Sequence, residues 1–453
     1  KDMYLKDKSM TTHRASGVPG TVRGMELAHK KFGKLPWKDV VMPAVELAEK
    51  GFKLDGYHAR SLNSVVGGKN AKTHPELVRV YSKNGNATWA AGDTQVLPDL
   101  GKTLRFIAEQ GPDAFYKGVI ADLIAEEMKA GGGLITKDDL AKYQAKERKP
   151  IHGTYRGFDV FSPSPPSSGG VCLVEMLNML ENYDLKKQGR WSKETLHVMT
   201  EAMRRGFLDR ARHLGDPDFV KIPEHLTTKD YAAKLIKDLD LTKATSSAAL
   251  GKDILLSQES EETTHYSVID KDGMAVSNTY TLENGFGSKV VVKGAGFILN
   301  NEMGDFNTQP GVTNNTGRIG TDANLIAPGK RMLSSMTPTI ISKNGKVLLV
   351  TGSPGGRTII NTVLCIVVNI VDFDMDVQAA VDAPRMHHQW MPDQLSCENK
   401  APLSAAVSQL QAMGHNVKTG GGQGDGHSIG VDPATGMIYG AADKRSSGKA
   451  SGY

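Results

Sequence analysis

The sequence predicts a mixed α and β fold built as one large sandwich, and two observations support this. The chain has 453 residues, of which 39% are hydrophobic, so it can bury a large core. Segments with strand periodicity and segments with helix periodicity alternate along it without a clear linker. Length alone is compatible with two or three domains. The continuous alternation favours a single sandwich.

The helical part of this prediction rests on residues 25–50 and 195–214, which have helical character. The second segment carries four arginines, Arg204, Arg205, Arg210 and Arg212. We expect these arginines to line a solvated or subunit-facing surface. Residues 242–262, rich in lysine and serine and then acidic, are predicted to form a flexible tail.

The functional prediction starts from the strand that begins at Thr263. The polar run 257–262 has no apolar periodicity and is typical of a loop or tail, and a strand pattern follows it at once. A threonine hydroxyl is a weak nucleophile without a base. Cleavage before Thr263 would free its own α-amine, whose reference pKa is about 7.7–8.0, to serve as that base. On this local pattern alone, a β-branched residue filling a pleated strand is the commoner explanation.

A predicted hairpin gives Thr263 a neighbour. The strand 265–270 is followed by the turn signal Lys271-Asp272-Gly273 and then by a second strand, 274–282. Folding back about this turn places Thr263 opposite Tyr280 or Thr281. We predict that Thr281 orients the Thr263 hydroxyl by hydrogen bonding. The alternative is a threonine-rich strand without such a role.

A strand, a glycine turn and a helix are predicted in succession further along. Residues 346–350 have the pattern of a buried strand, 352–356 form the turn Gly-Ser-Pro-Gly-Gly, and 358–371 have a helical pattern. Backbone N–H groups at a helix N-terminus suit an oxyanion. No Gly-Lys-Ser/Thr follows the glycines, so the turn is not a nucleotide P-loop.

A series of short motifs, taken together, is far more specific than any one of them. In chain order they are Gly17-Val18-Pro19-Gly20, Pro165-Pro166-Ser167-Ser168-Gly169-Gly170, Leu214-Gly215-Asp216-Pro217-Asp218-Phe219, Thr263-Thr264-His265-Tyr266-Ser267, Asn300-Asn301-Glu302-Met303-Gly304-Asp305-Phe306, Leu333-Ser334-Ser335-Met336 and Gly352-Ser353-Pro354-Gly355-Gly356. With these motifs the chain resembles the γ-glutamyltranspeptidase (glutathione hydrolase) family nearly end to end.

The resemblance implies an N-terminal-nucleophile hydrolase, an α+β protein with a four-layer αββα sandwich. The precursor would cut itself between Glu262 and Thr263. This would leave a large subunit, 1–262, and a small catalytic subunit, 263–453, which together form one αββα domain. The activity implied is hydrolysis or transfer of the γ-glutamyl group of glutathione-like donors to water, an amino acid or a dipeptide.

Carried over residue by residue, the resemblance implies a role for each catalytic group. Thr263 is the nucleophile that forms an acyl-enzyme, its α-amine is the general base, and Thr281 supports both. Gly355 and Gly356 correspond to the glycines of the oxyanion hole.

The resemblance also implies which residues bind the head group of the substrate, that is, its α-carboxylate and α-ammonium. Ser334 and Ser335 match hydroxyls that hold the α-carboxylate, and hydroxyls can donate to a carboxylate. Glu302 and Asp305 match the acidic pair that takes the α-ammonium, and carboxylates accept charge-assisted bonds from an ammonium. Glu283 replaces an asparagine that helps to bind the head group in many members. Its carboxylate either strengthens ammonium binding or turns elsewhere and leaves Asn284 to contribute.

Two further departures from the family concern the substrate pocket. An arginine that pairs with the α-carboxylate lies, in the family, shortly before the segment matching Lys1-Asp2-Met3-Tyr4, so we expect this chain to be N-terminally incomplete relative to the family. The polar segment 310–321 is either a surface loop or, by resemblance, a lid. In the lid, Thr316 would stand where some members have a shielding aromatic residue, which predicts a high ratio of hydrolysis to transfer.

The histidine and cysteine patterns imply no metal and no cofactor. His265 shares a strand face with Thr263, and we expect a packed or hydrogen-bonded structural histidine. His387 and His388 lack the spacing of a zinc site. The three cysteines show no pairing motif, and Cys172 and Cys365 lie in apolar contexts typical of buried thiols.

Charge and hydropathy narrow the possible partners. The net charge of +5 is modest and dispersed, so nucleic-acid binding is not expected. No run of about 20 apolar residues or signal peptide is present, and by resemblance we expect a periplasmic or secreted protein. Two alternatives stay open: a related acylase for poly-γ-glutamate or a glutaryl β-lactam, and an unprocessed, non-catalytic member of the family.

Overall fold

The computed structural model describes residues 10–84, 88–251, 256–257, 262–307, 311, 318–319 and 321–452. Contacts within the chain divide it into two compact units. The helical unit consists of Asp2–Glu147 and Leu282–Gly304, and the sheet unit consists mainly of Arg148–Thr281 and Asp305–Tyr453.

The described part of the helical unit is mostly α-helix. Its helices are α1 (Thr21–Phe32), α2 (Trp37–Lys50), α3 (Gly56–Val66), α4 (Gly68–Thr73), α5 (Pro75–Tyr81), α6 (Pro98–Gln110), α7 (Asp113–Tyr116), α8 (Val119–Gly131) and α9 (Lys137–Lys142), with one short strand pair, β1 (Phe52–Lys53) and β2 (Thr94–Gln95). The predicted helical segment 25–50 is two helices, because Gly33 ends α1 and Pro36 precedes α2. Helix α2 packs on α6.

The sheet unit contains the remaining strands. They are β3 (Ile151–Tyr155), β4 (Phe158–Ser162), β5 (Leu256–Ser257), β6 (Glu262–Ile269), β7 (Ala275–Glu283, whose last two residues belong to the helical unit), β8 (Arg318–Ile319), β9 (Thr339–Lys343), β10 (Lys346–Thr351), β11 (Met386–His387), β12 (Leu395–Glu398), β13 (Val417–Gly420), β14 (His427–Val431) and β15 (Ile438–Ala442). Six of them form an antiparallel sheet in the order β15-β14-β10-β9-β4-β3. A smaller sheet has the order β11-β12-β13.

Three long helices pack together in the core of the sheet unit. The helices of this unit are α10 (Gly169–Leu180), α11 (Leu185–Gln188), α12 (Lys193–His213), α13 (Lys229–Ile236), α14 (Ser247–Leu250), α15 (Thr358–Val371), α16 (Val377–Asp382) and α17 (Val407–Ala412). Every residue of α10 is buried, including Glu175 and Asn178, as is typical of a mostly apolar helix enclosed in a core. Helix α10 contacts α12, α15 and strands β3 and β4, so the helical layer is packed against the sheet.

Helix α12 confirms the predicted helix at 195–214. The prediction that its arginines line a solvated or subunit-facing surface is wrong as regards solvent for three of the four, and Arg212 is half-buried. Arg204, Arg205 and Arg210 are 1%, 5% and 3% exposed. Glu201 accepts hydrogen bonds from both Arg204 and Arg205. A guanidinium can be buried when such partners compensate its charge, and the linear sequence does not show where those partners lie.

The predicted tail at 242–262 is anchored over its first part. Ser247 is fully buried, its N–H donates to Asp393 Oδ2 at 2.8 Å, and Trp390 Nε1 donates to the Ser247 carbonyl at 2.9 Å. Residues 252–255 and 258–261 lie outside the described part of the chain. The flexibility predicted for 242–251 is therefore wrong, because this stretch is held by buried polar contacts.

Strands β6 and β7 form the predicted hairpin. The Asp270 N–H donates to the Met274 carbonyl, and Gly273 in the turn has a φ of +84°. The hairpin contacts β14 and β10: Ser267 Oγ donates to the His427 carbonyl at 2.9 Å, and Ser277 Oγ donates to the Thr351 carbonyl at 2.8 Å. These contacts tie the hairpin to the ends of two strands of the large sheet.

The described residues also show the state of the cysteines and the character of the helices. Cys172, Cys365 and Cys397 are free and buried, which confirms the expectation for Cys172 and Cys365. None of the described helices combines the length and the apolar character that crossing a membrane would require.

Candidate active site

The hairpin brings Thr263 and Thr281 together. Thr263 Oγ1 donates to Thr281 Oγ1 at 3.3 Å, and Thr263 is half-buried near the start of β6. The neighbouring residue Thr264 points the other way and is exposed, as strand alternation requires. The structure therefore gives Thr263 the hydroxyl partner that the hairpin register predicted.

His265 lies on the same strand face as Thr263 and is a buried structural histidine, as predicted. Its Nδ1 is 2.7 Å from Thr279 Oγ1, and its Nε2 is 3.1 Å from Ser267 Oγ. Ser267 Oγ donates its proton to a carbonyl, so it accepts from His265 Nε2–H, and Nδ1 accepts from Thr279. Burial, together with His427, lowers the pKa of His265 to about 3. The ring is therefore neutral at physiological pH.

The glycine turn has the strand–turn–helix geometry that the sequence predicts. It connects β10 to α15, and Gly355 and Gly356 have φ values of +126° and +54°, which a residue with a side chain rarely adopts. Thr358 Oγ1 donates to the Gly355 carbonyl at 2.7 Å. The first turn of a helix leaves backbone N–H groups without intrahelical partners. The turn therefore offers donors and the positive end of the α15 dipole to an anion.

Gly352 allows the hairpin to approach this turn closely. A Cβ atom on Gly352 would lie 2.2 Å from the His265 ring, closer than non-bonded atoms can come. The His427 N–H donates to the Gly352 carbonyl at 3.1 Å. The strand that carries Thr263 and the strand that leads into the glycine turn are thus in direct contact.

Ser334 and Ser335 are held by the Pro-Pro-Ser-Ser-Gly-Gly segment and by a buried arginine. The Ser168 N–H donates to the Ser334 carbonyl at 2.8 Å. Arg210 donates from Nη2 to Ser335 Oγ at 3.0 Å and from Nε to Ser168 Oγ at 2.9 Å. Ser334 Oγ accepts from the Met336 N–H at 3.1 Å. Each of the two hydroxyls accepts one bond and keeps its proton to donate.

Arg210 is a residue of the candidate site that the sequence pattern did not reveal. The available signal was its place in an otherwise apolar face of α12, but its partners lie far away in sequence, at Ser168 and Ser335.

The predicted acidic residues are distributed over a 3₁₀ turn, Glu302–Asp305, and the end of β7. In the sheet unit, Asn324 Nδ2 donates to the Asp305 carbonyl at 2.6 Å. In the helical unit, Glu302 Oε1 is enclosed and has no hydrogen-bond partner among the described residues. Burial raises the pKa of Glu302 to about 7. This carboxyl is therefore poised to ionise when a cation approaches.

Glu283 is buried in the helical unit. It is 4% exposed, with a left-handed φ of +75° that is uncommon for a glutamate. A Cβ on Gly304 would lie 2.6 and 2.7 Å from the two Glu283 carboxylate oxygens. The carboxylate thus rests on Gly304, within the segment that carries Glu302, rather than turning to the surface.

One cluster has residues of the types that bind metals. His197, Glu201 and His415 are buried, and their candidate ligand atoms lie within 4.8 Å of one another. His197 Nδ1 and His415 Nε2 are already 2.8 Å apart. Burial would raise the pKa of Glu201, but Arg204 and Arg205 outweigh it and hold that pKa at about 2. Two guanidinium groups on the one carboxylate oppose a cation, so the cluster is better suited to an ion-pair network than to a metal.

Two predicted positions lie outside the residues that the structure describes. They are the lid residue Thr316 and the side chain of Glu262, the residue before the predicted cleavage point.

Comparison with known proteins decides the family. A family model described as gamma-glutamyltranspeptidase matches residues 1–453. The chain belongs to the γ-glutamyltranspeptidase family. Within this family it is 48% identical to a glutathione hydrolase proenzyme of Escherichia coli (strain K12) over 98% of this chain and 78% of that protein. It is 43% identical to a glutathione hydrolase proenzyme of Pseudomonas sp. (strain A14), over 99% of this chain and 79% of that protein.

Similarity within and around the γ-glutamyltranspeptidase family extends to acylases. An Acylase ACY 1 proenzyme of Pseudomonas sp. (strain SE83) is 36% identical over 96% of this chain and 75% of that protein. The crystal structure of a cephalosporin acylase from Bacillus halodurans has a TM-score of 0.83 and 25% identity, covering 98% of this chain and 81% of that one. The predicted α+β fold class of the N-terminal-nucleophile hydrolases is thereby confirmed.

Proposed function

We propose that this chain is the proenzyme of a γ-glutamyl hydrolase and transferase that cleaves the γ-glutamyl amide bond of glutathione and related compounds. The observation that carries the proposal is the Thr263–Thr281 hydroxyl pair at the start of a strand, in a chain of the γ-glutamyltranspeptidase family. The similarity to glutathione hydrolase proenzymes supports the choice of substrate class.

In this proposal the precursor cuts itself between Glu262 and Thr263. The cut gives a large subunit, 1–262, and a small subunit, 263–453, which remain partners. It also frees the α-amine of Thr263. That amine takes the proton of Thr263 Oγ1, which makes the oxygen nucleophilic without a separate base.

The reaction then proceeds through an ester. Thr263 Oγ1 attacks the γ-carbonyl carbon, the amide C–N bond breaks, and the leaving amine takes the proton from the α-ammonium of Thr263. In the second half, water or the amine of an amino acid or dipeptide attacks the ester carbon and gives a proton to the α-amine of Thr263. The ester C–O bond then breaks, and that proton passes to Thr263 Oγ1, the leaving group. Gly355 and Gly356 N–H groups stabilise the negative oxygen of both tetrahedral intermediates.

Ser334 and Ser335 are proposed to bind the α-carboxylate of the donor. Because Arg210 donates to Ser335 Oγ, the Ser335 proton is directed away from the guanidinium and is available to a carboxylate. Hydrogen bonds to an ionised group are about twice as strong as neutral ones. Two such donors select a carboxylate over a neutral group.

Glu302, Asp305 and Glu283 are proposed to take the α-ammonium of the donor. A cation that approaches Glu302 would lower its raised pKa and favour the charged form. Glu283 stands where many members have an asparagine, and its carboxylate lies on Gly304 in the same acidic segment. We therefore assign Glu283, with Glu302, to the residues that take the α-ammonium.

An acylase acting on glutaryl β-lactams or poly-γ-glutamate is the second candidate. It is favoured by the similarity to Acylase ACY 1 and to the cephalosporin acylase. A glutaryl group lacks the α-ammonium, so it would leave Glu302 and Asp305 without a cationic partner. Their presence makes a free glutamyl head group the better substrate.

The test begins with the cut. The purified protein is separated on a denaturing gel and the smaller band is sequenced from its N-terminus. We expect Thr263 as the first residue, no cleavage in Thr263→Ala, and normal cleavage in the control Thr264→Ala, whose side chain is exposed. An uncut wild-type band would point to the unprocessed, non-catalytic alternative.

The second step compares donors on the cut enzyme. We expect γ-glutamyl anilide to be hydrolysed and glutaryl anilide to be a poor donor. A preference for the glutaryl compound would favour the acylase. Adding glycylglycine should raise the rate only slightly if hydrolysis dominates, as predicted from Thr316.

Proposed processing and location follow from the same family membership. We propose that the two subunits stay associated and that the protein acts in the periplasm or outside the cell.

A further inference from the structure

We propose that residues 420–426, a glycine-rich segment that runs from the last residue of β13 to the start of β14, are a positioning element for the glycine turn. We call this segment the "420–426 loop". In this role it would hold the N–H groups of Gly355 and Gly356 in place for the developing oxyanion. The inference rests on the proposed function, because it takes the turn as the oxyanion site. It adds residues far from Thr263 in the sequence to the machinery of the reaction.

A hydrogen bond fastens the loop to the turn. The Asp425 N–H donates to Ser353 Oγ at 2.8 Å, and Ser353 Oγ donates to the Pro354 carbonyl at 2.6 Å. Ser353 is fully buried. A single hydroxyl therefore links the loop backbone to the peptide group that immediately precedes Gly355.

The two backbones also touch. A Cβ atom on Gly355 would lie 3.2 Å from the Gly424 Cα. Gly424 has a φ of +64°, and a Cβ there would lie 2.4 Å from Thr362 Oγ1 and 2.8 Å from Ser353 Oγ. Only glycine permits this approach, and any side chain at Gly424 would push the loop away from the turn.

The other side of the loop is anchored on buried carboxylates and an arginine. The Gln423 N–H donates to Glu398 Oε1 and the Gly426 N–H to Asp443 Oδ2, at 2.7 and 2.8 Å. Arg385 Nη1 donates to the Gln423 carbonyl at 2.7 Å and its Nη2 lies 2.6 Å from Asp443 Oδ2.

The three side chains that hold the loop are buried, which restricts the movement of the loop backbone. Glu398, Asp443 and Arg385 are 1%, 2% and 1% exposed. In a low-dielectric interior, hydrogen bonds to charged groups are strong, and each of these three side chains makes one with the backbone of the loop. The loop thus transmits the rigidity of the buried cluster to the glycine turn.

Rigidity at this place matters for catalysis rather than for substrate binding. Donors of an oxyanion hole act at about 2.7–3.1 Å from the oxygen, and losing one costs about 100- to 1,000-fold in kcat. A misplacement of about 1 Å can cost about 100-fold. The ground-state substrate, whose carbonyl is neutral, is much less sensitive to the position of these donors.

The experiment uses two variants and two matched controls, each as the full chain after self-cleavage. Gly424→Ala displaces the loop, and Ser353→Ala removes the link. Gly436→Ala has the same left-handed strain at a φ of +72° with no atom within 4 Å of the added Cβ. Ser162→Ala removes another buried hydroxyl that is hydrogen bonded, to Thr339. Rates are divided by the amount of protein with an N-terminal Thr263.

The readouts separate the transition state from binding. They are the pre-steady-state acylation rate with γ-glutamyl anilide, the Kd of a boronic acid analogue that binds the threonine as a tetrahedral anion, and the inhibition constant of free glutamate. We expect acylation to fall about 100-fold in Gly424→Ala and about tenfold in Ser353→Ala. The boronate Kd should rise in parallel, while the glutamate constant and both controls stay within twofold of wild type.

Two results would overturn the inference. One is an equal loss of glutamate and boronate affinity, which means general damage to the pocket. The other is acylation in both variants equal to that of the controls. If Thr263→Ala is inactive in the same assay, only the role of the 420–426 loop fails. If Thr263→Ala retains activity, the proposed function itself fails.

Discussion

Replacing Thr281 with valine tests the hydroxyl pair on which the proposed mechanism depends. The substitution keeps the shape of the side chain and removes only the oxygen that lies 3.3 Å from Thr263 Oγ1. In the resting protein Thr263 donates this bond. During attack Thr263 Oγ1 gives its proton to the α-amine, so the bond must reverse and Thr281 must donate.

The size of the effect follows from this reversal. At 3.3 Å the resting bond is long for two hydroxyls, whose usual separation is about 2.7–2.8 Å, and it contributes little to the ground state. A hydrogen bond to an oxygen that carries charge contributes about 1.5–3 kcal/mol. Because this bond is made mainly in the transition state, its loss should lower kcat/KM about 10- to 150-fold with little change in binding.

The assay measures kcat/KM for γ-glutamyl anilide on protein whose N-terminal Thr263 has been verified by sequencing. Thr281→Ser retains a hydroxyl and should stay within about threefold of wild type. A Thr281→Val rate within twofold of wild type would refute the reasoning. An equal loss in Thr281→Ser would show that the methyl group, and hence packing, is what matters.

Three further predictions concern carboxylates. The raised pKa of Glu302, about 7, predicts that kcat/KM increases as pH rises through 7, because the charged form binds the ammonium. In a pH–rate profile, Glu302→Gln should lose this inflection and keep only the rise from deprotonation of the Thr263 α-amine, whose reference pKa is about 7.7–8.0. Glu283→Asn should raise the free energy of unfolding by about 1 kcal/mol in denaturant titration, because asparagine tolerates the φ of +75° better than glutamate; no gain would contradict this. Glu201→Gln should destabilise the protein at pH 7 by about 3–5 kcal/mol. The pKa of Glu201 is lowered from 4.5 to about 2 in the folded protein, so the stabilisation by its charged form is fully present above pH 4.5 and is lost as pH falls towards 2. The difference in unfolding free energy between Glu201→Gln and wild type should therefore close near pH 2.

The local elements of the site were predictable because their signals are local. The Lys271-Asp272-Gly273 turn sets the hairpin register, and that register alone puts Thr263 beside Thr281. The helix after the glycine turn begins at Thr358 and ends at Val371, as the apolar pattern indicates. Turn chemistry and periodicity act over a few residues, so a sequence displays them directly.

The contacts that hold the site were not predictable, because they join residues far apart in the chain. Arg210 was expected to line a solvated or subunit-facing surface, but it is buried on Ser168 and Ser335, which lie 42 and 125 residues away. The bond from Asp425 to Ser353 spans 72 residues. An arginine or a glycine-rich run has the same appearance in a sequence whether it is solvated or packed. Only the folded chain shows which groups compensate the charge of the arginine and which groups pack against the backbone of the glycines.

The contact between His265 and Gly352 has a consequence for the chain end that cleavage would create. A newly cut strand normally frays, because its first residues have lost the chain that held them. Here His265 lies only two residues after Thr263. Its imidazole packs against Gly352 and is hydrogen bonded to Thr279 and Ser267. At about 3.3 Å per residue, about 7 Å of backbone separates the free terminus from this fixed point. The new N-terminus would thus lie close to a fixed point beside the glycine turn, which limits how far the α-amine and hydroxyl of Thr263 can move.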